Sequence, residues 1–175
     1  MSTARIRVLE ATFAAVLVMA TLSIVYAQTP AGPMPPLVPC ETAPAGAPCS
    51  QVATSAADLV GVWQQFMWNP RLATNGGMGY IRYLADGTYH LADTVEHTAG
   101  PYTNFPYGKV TFAGDEMTII VDSETPLAEC GRPSLYRVHV LKAGDTPVAL
   151  WYQVIDDTCT GRVADLSQPL LWVAD

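Results

Sequence analysis

Beyond Leu59, apolar and polar residues alternate in short runs, and each run ends at a cluster of Gly, Asp, Asn or Pro. Alternation over such lengths marks half-buried β-strands, because successive side chains leave a strand on opposite faces. Leu59–Trp68 is the first expected strand, closed by Asn69-Pro70. Met78–Leu84 and Thr88–Thr94 form a hairpin about Asp86-Gly87, a pair that tolerates the positive φ of a tight turn. Tyr107–Ala113 pairs with Glu116–Ser123 about Gly114-Asp115, Leu135–Lys142 pairs with Val148–Asp156 about Gly144-Asp145, and Pro169–Val173 comes last. A short helical turn at Ser55–Asp58 leads in, and no segment of this region has the length, period and caps of a long helix. Eight strands in sequential hairpins predict an all-β domain, an eight-stranded antiparallel up-and-down barrel, whose closure removes exposed edges. A β-sandwich is the alternative architecture. An eight-stranded barrel is either filled by its own side chains or holds one small ligand.

The pattern before Leu59 is different. Arg5 and Arg7 precede an uncharged apolar run from Ala11 to Ala27, and Val25-Tyr26-Ala27 suits a signal peptidase, so residues 1–27 read as a signal peptide. An uncleaved anchor is the competing reading, since a run of 17 residues lies at the lower edge for a membrane span. Residues 28–57 are rich in Pro and Ala, a composition of extended tethers, and residues 58–175 make up the barrel domain. The chain is therefore expected to be exported, whether periplasmic, extracellular or associated with the cell envelope, with no membrane insertion once the signal is removed.

A net charge of -7 and a pI near 4.7 exclude nucleic acid as a partner and disfavour anionic lipid surfaces. All four cysteines, Cys40, Cys49, Cys130 and Cys159, lie beyond the signal, and an even count in an exported chain reads as disulfides. Three connectivities are open. Cys130 and Cys159 flank the open end of the third hairpin, which favours Cys130–Cys159 with Cys40–Cys49. There is no C-x-x-C pair and no paired histidine, so neither a metal site nor a cofactor is expected.

Gly61-Val62-Trp63 on the first strand resembles the G-x-W motif of lipocalins and the wider calycin group. Tyr83-Leu84-Ala85-Asp86-Gly87-Thr88-Tyr89 is similar to the second-hairpin turn of bacterial lipocalin-like domains. Asp156-Asp157-Thr158-Cys159-Thr160-Gly161-Arg162, followed by Trp172, is similar to the end of small exported domains of that kind. The resemblance spans Leu59 to Val173. It implies a calycin-type barrel with a mouth at one end and structural roles for Gly61, Trp63 and Trp172. Lipocalins also set a basic residue over the motif tryptophan. Arg162 is the best match for it, although it precedes the last strand. No activity comes with the resemblance, because such folds host carriers, enzymes and inhibitors alike.

Tyr80, Arg82, Tyr89, Leu91, Trp151 and Tyr152 are the strand residues from which a pocket is expected, since aromatic bodies with a few polar tips suit a small apolar ligand. Alternation sets Tyr80 and Arg82 on one face and Gly79, Ile81 and Tyr83 on the other. The Asn69–Gly77 and Glu96–Pro106 connections are long for hairpins and lie at the same end of a meander. They are expected to frame the mouth, with Tyr102 and Phe105 in apolar contact with the ligand. His90, His97 and His139 fit solvated faces, and Asp122, Glu124, Asp156 and Asp157 fit strand ends. No G-x-S-x-G, H-E-x-x-H or phosphate-binding loop is present. A binding module for a small apolar molecule is thus the first functional reading. A barrel enzyme of isomerase or cyclase type is the second, and a filled structural or interaction domain the third. Interior volume and its polar lining discriminate among them.

Overall fold

The computed structural model describes residues 38–67, 77–101, 105–122 and 130–174, and these contain nine strands in one sheet, two 3₁₀ turns and one short helix. The strands are β1 (Pro48–Val52), β2 (Gly61–Phe66), β3 (Met78–Tyr83), β4 (Thr88–Ala92), β5 (Tyr107–Ala113), β6 (Glu116–Val121), β7 (Ser134–Ala143), β8 (Thr146–Asp156) and β9 (Leu170–Ala174). Each strand from β2 to β8 pairs antiparallel with the next, β8 pairs with β9, and β9 pairs back onto β2. The result is a closed eight-stranded up-and-down barrel with one strand added. Tight turns fall at Asp86-Gly87, Gly114-Asp115 and Gly144-Asp145, as the turn chemistry dictates.

β1 and helix α1 (Thr160–Leu166) were not among the expected elements. β1 lies within the Pro- and Ala-rich segment assigned to a tether, and its place follows from the stagger of the barrel. β6 covers the edge of β7 only at Ser134–Tyr136, whereas β7 and β8 run on together as far as Ala143 and Thr146. β1 pairs with His139–Ala143, where β6 has ended, and so covers a strand edge that would otherwise offer unpaired N–H and C=O groups. The Cys40–Cys49 disulfide and a parallel bridge between Pro39 and Ser50 hold the preceding turn against it.

The inward faces supply the core, chiefly Trp63, Ile81, Tyr83, Tyr89, Met117, Ile119, Tyr136, Val138, Leu150, Tyr152 and Leu170. One end is sealed by packing. The first strand begins at Gly61 instead of Leu59, because Ala56–Leu59 forms a 3₁₀ turn tied by Asp58, whose carboxylate accepts from the Thr54 and Ser55 N–H groups. That turn places the Leu59 carbonyl to accept from Trp63 Nε1 at 2.8 Å, so the fully buried indole keeps its hydrogen bond. Trp172 of β9 meets the Trp63 ring edge-on at 4.8 Å. Gly61 makes room for it: a Cβ there would fall 2.3 Å from the Trp172 ring, and its φ of +134° is strained for any other residue.

Candidate functional site

Because consecutive strands alternate in direction, the β2–β3, β4–β5, β6–β7 and β8–β9 connections gather at the end opposite Leu59 and Trp63. There the interior is not filled. A cavity of about 50 Å³ lies beneath α1. Its walls are Ile81 and Tyr83 of β3, Tyr89 and Leu91 of β4, and Ile119 and Val121 of β6. Its ceiling is Arg162, Asp165 and Leu166 of α1, with Pro106 and Cys130 at the rim, and Gln65 of β2 enters from the side.

α1 is seated by a cluster of short-range contacts. Asp157 accepts from the Cys159 N–H at 2.8 Å, which turns the chain out of β8 and into the helix. Cys159, at the helix N-terminus, is bonded to Cys130, so the β6–β7 and β8–β9 connections are joined at the hairpin's open end. Arg162 grips Asp157 with two parallel hydrogen bonds, Nε to Oδ2 at 2.7 Å and Nη2 to Oδ1 at 2.9 Å. The same guanidinium donates to the Cys130 carbonyl at 3.1 Å and, at 3.4 Å, to that of Arg132. Burial alone would raise the Asp157 pKa, but the bonds from Arg162, from the Tyr136 hydroxyl and from the Cys159 N–H outweigh it and hold the carboxyl below its ordinary range. Helix α1 ends where the Ser167 hydroxyl closes on the Ala164 carbonyl, just before Pro169.

Below this cluster the interior carries tyrosines. Tyr83 and Tyr152 share a hydrogen bond of 2.7 Å between their hydroxyls, and the Tyr152 ring meets Tyr136 edge-on at 5.9 Å. Burial raises the pKa of Tyr83, Tyr89, Tyr136 and Tyr152, keeping all four phenols neutral. Gln65 is different. It is only 3% exposed, and its side-chain oxygen has no hydrogen-bond partner.

Of the expected pocket residues, Tyr89 and Leu91 line the cavity. Tyr80, Arg82 and Trp151 stand on the outer face. Tyr80 accepts from Gln64 at 3.1 Å, Arg82 donates to Thr98 at 2.9 Å, and Trp151 lies opposite His139 on the far side of β8 from inward-facing Tyr152. Phe105 is half-buried and not part of the cavity wall, where its neighbour Pro106 lies instead. Tyr102 and residues 69–76 of the first expected rim loop lie outside the described residues. Arg162 serves Asp157 and α1, while the Trp63 ring has Trp172 as its aromatic partner.

The cavity residues that sequence reasoning passed over are Gln65, Ile81, Tyr83, Ile119, Val121, Asp165 and Leu166. A signal for some of them existed. Trp63, expected inside, puts Gln65 inside by alternation, and its pairing with Ile81 puts Ile81 and Tyr83 inside as well. Among the described residues no three His, Cys, Asp or Glu side chains gather in a way that could hold a metal ion. No family model, no curated protein and no solved structure matches the chain.

Proposed function

We propose that the chain is an exported, lipocalin-like domain that binds a small, mainly apolar molecule at the α1 end of its barrel. The observation that carries this reading is a cavity with an apolar and aromatic wall, whose lining also includes the side chains of Gln65, Arg162 and Asp165. Export is supported by two disulfides, which persist in oxidising compartments. Among the described residues no helix is long and apolar enough to cross a membrane.

The volume limits what fits. A dry cavity of about 150 Å³ holds benzene, so one of about 50 Å³ admits a fragment of a few heavy atoms with α1 in place. A larger ligand has to displace Leu166, whose side chain forms part of the ceiling. Helix α1 is a fitting lid because it is short and is anchored at its N-terminal end, by Cys159 and Arg162. A catalytic reading has less support. The Tyr83 and Tyr152 hydroxyls satisfy each other, and burial keeps both neutral, so neither is poised as a base.

Native mass spectrometry of protein purified from its host, together with titration by a hydrophobic fluorescent probe, tests the reading. One small molecule retained per chain, or saturable binding of one probe, is the expected result. No retained molecule and no saturable binding would overturn it.

A further inference from the structure

Resting on the binding reading above, we infer that access to the cavity is under redox control. With the Cys130–Cys159 disulfide formed, α1 is held shut over the cavity; a dithiol reductant that opens this bond frees α1 to move aside and admit a larger apolar ligand. The need for such a step lies in the volume. The closed space of about 50 Å³ is well below the roughly 150 Å³ that holds benzene, so most apolar ligands require the ceiling to move.

α1 fills a seam in the barrel wall. β9 pairs with β8 only at Ala149 and Leu150, and along β2 it reaches no further than Gln64. Beyond those pairs no described strand joins Gln65–Phe66 of β2 to Trp151–Asp156 of β8, and α1 packs against both strands. The helix is weak on its own, with seven residues, Gly161 in its first turn and no side-chain cap. Its anchors are of two kinds. The Arg162–Asp157 pair is local and ties α1 to the end of β8, about which it can pivot. The ties to the β6–β7 connection are the disulfide and the Arg162 bonds to the Cys130 and Arg132 carbonyls, at 3.1 and 3.4 Å. Of these only the disulfide is covalent, and Cys130 itself lines the cavity. Cys40–Cys49, by contrast, fastens the turn before β1 and has no part in the cavity wall.

Cys130 and Cys159 are both half-buried, so neither is sealed in the core. A thiolate of the dithiol attacks one of their sulfurs, the S–S bond breaks and a mixed disulfide forms. The second thiol of the reductant closes on the first. Cys130 and Cys159 leave as thiols with two electrons and two protons gained, and the dithiol leaves as a disulfide.

The test uses the full folded chain and N-phenyl-1-naphthylamine, a neutral fluorescent probe larger than the closed cavity. Cys130→Ser with Cys159→Ser should bind it about tenfold more tightly than the oxidised native chain, as when a binding-competent state passes from about a tenth populated to dominant. Dithiothreitol should give the native chain the same gain, and reoxidation should remove it. The gain on reduction should persist in Cys40→Ser with Cys49→Ser. Equal affinity in the oxidised chain and the folded Cys130→Ser, Cys159→Ser variant would overturn the inference and leave the site standing. Hydrogen exchange of the native chain with and without dithiothreitol covers the case in which that variant does not fold. Loss of protection confined to α1 and its flanks is expected, and loss throughout the strands would make the disulfide a structural staple and overturn the switch. No probe binding in any form would instead overturn the binding reading itself.

Discussion

Replacing Arg162 by methionine should cost about 3–5 kcal/mol of folding stability, the range for removing one partner of a buried ion pair. The side chain of Asp157 is wholly buried and that of Arg162 is 11% exposed, so solvent cannot take over the pairing. The substitution also leaves the Cys130 and Arg132 carbonyls without the guanidinium, although the Tyr136 hydroxyl and the Cys159 N–H remain on Asp157 and keep the cost toward the lower bound. The pH dependence is more diagnostic than the magnitude. In the native protein Asp157 has a lowered pKa, so its contribution is fully present above the unfolded value of about 3.9 and is lost as pH falls through the lower folded value. In Arg162→Met the burial that raises the pKa is no longer opposed by the guanidinium, and the carboxyl takes up its proton at a higher pH. The difference between the two proteins should therefore be greatest near neutrality and shrink as the pH is lowered through the carboxylate range. Urea unfolding at a series of pH values measures it. Adding Asp157→Asn to Arg162→Met should restore part of the loss, since the amide keeps an acceptor for Tyr136 and carries no charge. A cost under about 1 kcal/mol, typical of an exposed pair, or a cost that does not change with pH, would refute the account of α1 as a lid clamped by a buried charge pair.

Two further predictions concern the two ends of the barrel. Trp63→Ala removes a fully buried indole, its bond to the Leu59 carbonyl and its edge contact with Trp172, and should cost about 3–5 kcal/mol, read as a melting temperature lower by roughly 10 °C or more; an unshifted melt would mean that the sealed end does not depend on this ring. Leu166→Ala should cost about 2–4 kcal/mol, because the leucine is buried in the core, yet it should enlarge the cavity and tighten binding of a benzene-sized probe. Weaker probe binding in a folded Leu166→Ala protein would show that the cavity is not where the probe goes.

Most of the barrel was legible because the information that specifies it is local. Alternation and turn residues at Asp86-Gly87, Gly114-Asp115 and Gly144-Asp145 define three hairpins without reference to anything distant. What was not legible depends on contacts between segments far apart in the chain. β1 begins with Pro48 and has little intrinsic strand character; it is a strand because β6 stops short on the edge of β7, a consequence of stagger that no window around residue 48 reveals. α1 is too short for a helical period to show and carries Gly161 in its first turn; the Cys130–Cys159 bond and the Arg162–Asp157 pair supply the stability that propensity does not. The pocket residues split for a related reason. Alternation says which side chains share a face, and only closure of the barrel says which face is inside. Tyr80 and Arg82 had the polar tips a site would use, yet Trp63 pairs with Ile81, and that register turns Tyr80 and Arg82 outward.

The two ends of the barrel are closed by different physics, and that difference is the reason the α1 end is proposed as the site. At the Trp63 end the seal is aromatic packing in which the buried indole N–H is satisfied by Leu59, and Gly61 is shaped to the Trp172 ring. Such an end gains nothing from opening. At the α1 end the seal is a short helix held by a disulfide and a charge pair at its first turn, over a space that the side chains do not fill. Close packing and satisfied polar groups are the rule in protein interiors. A region beneath α1 that departs from close packing is where a ligand would add to the stability of the fold.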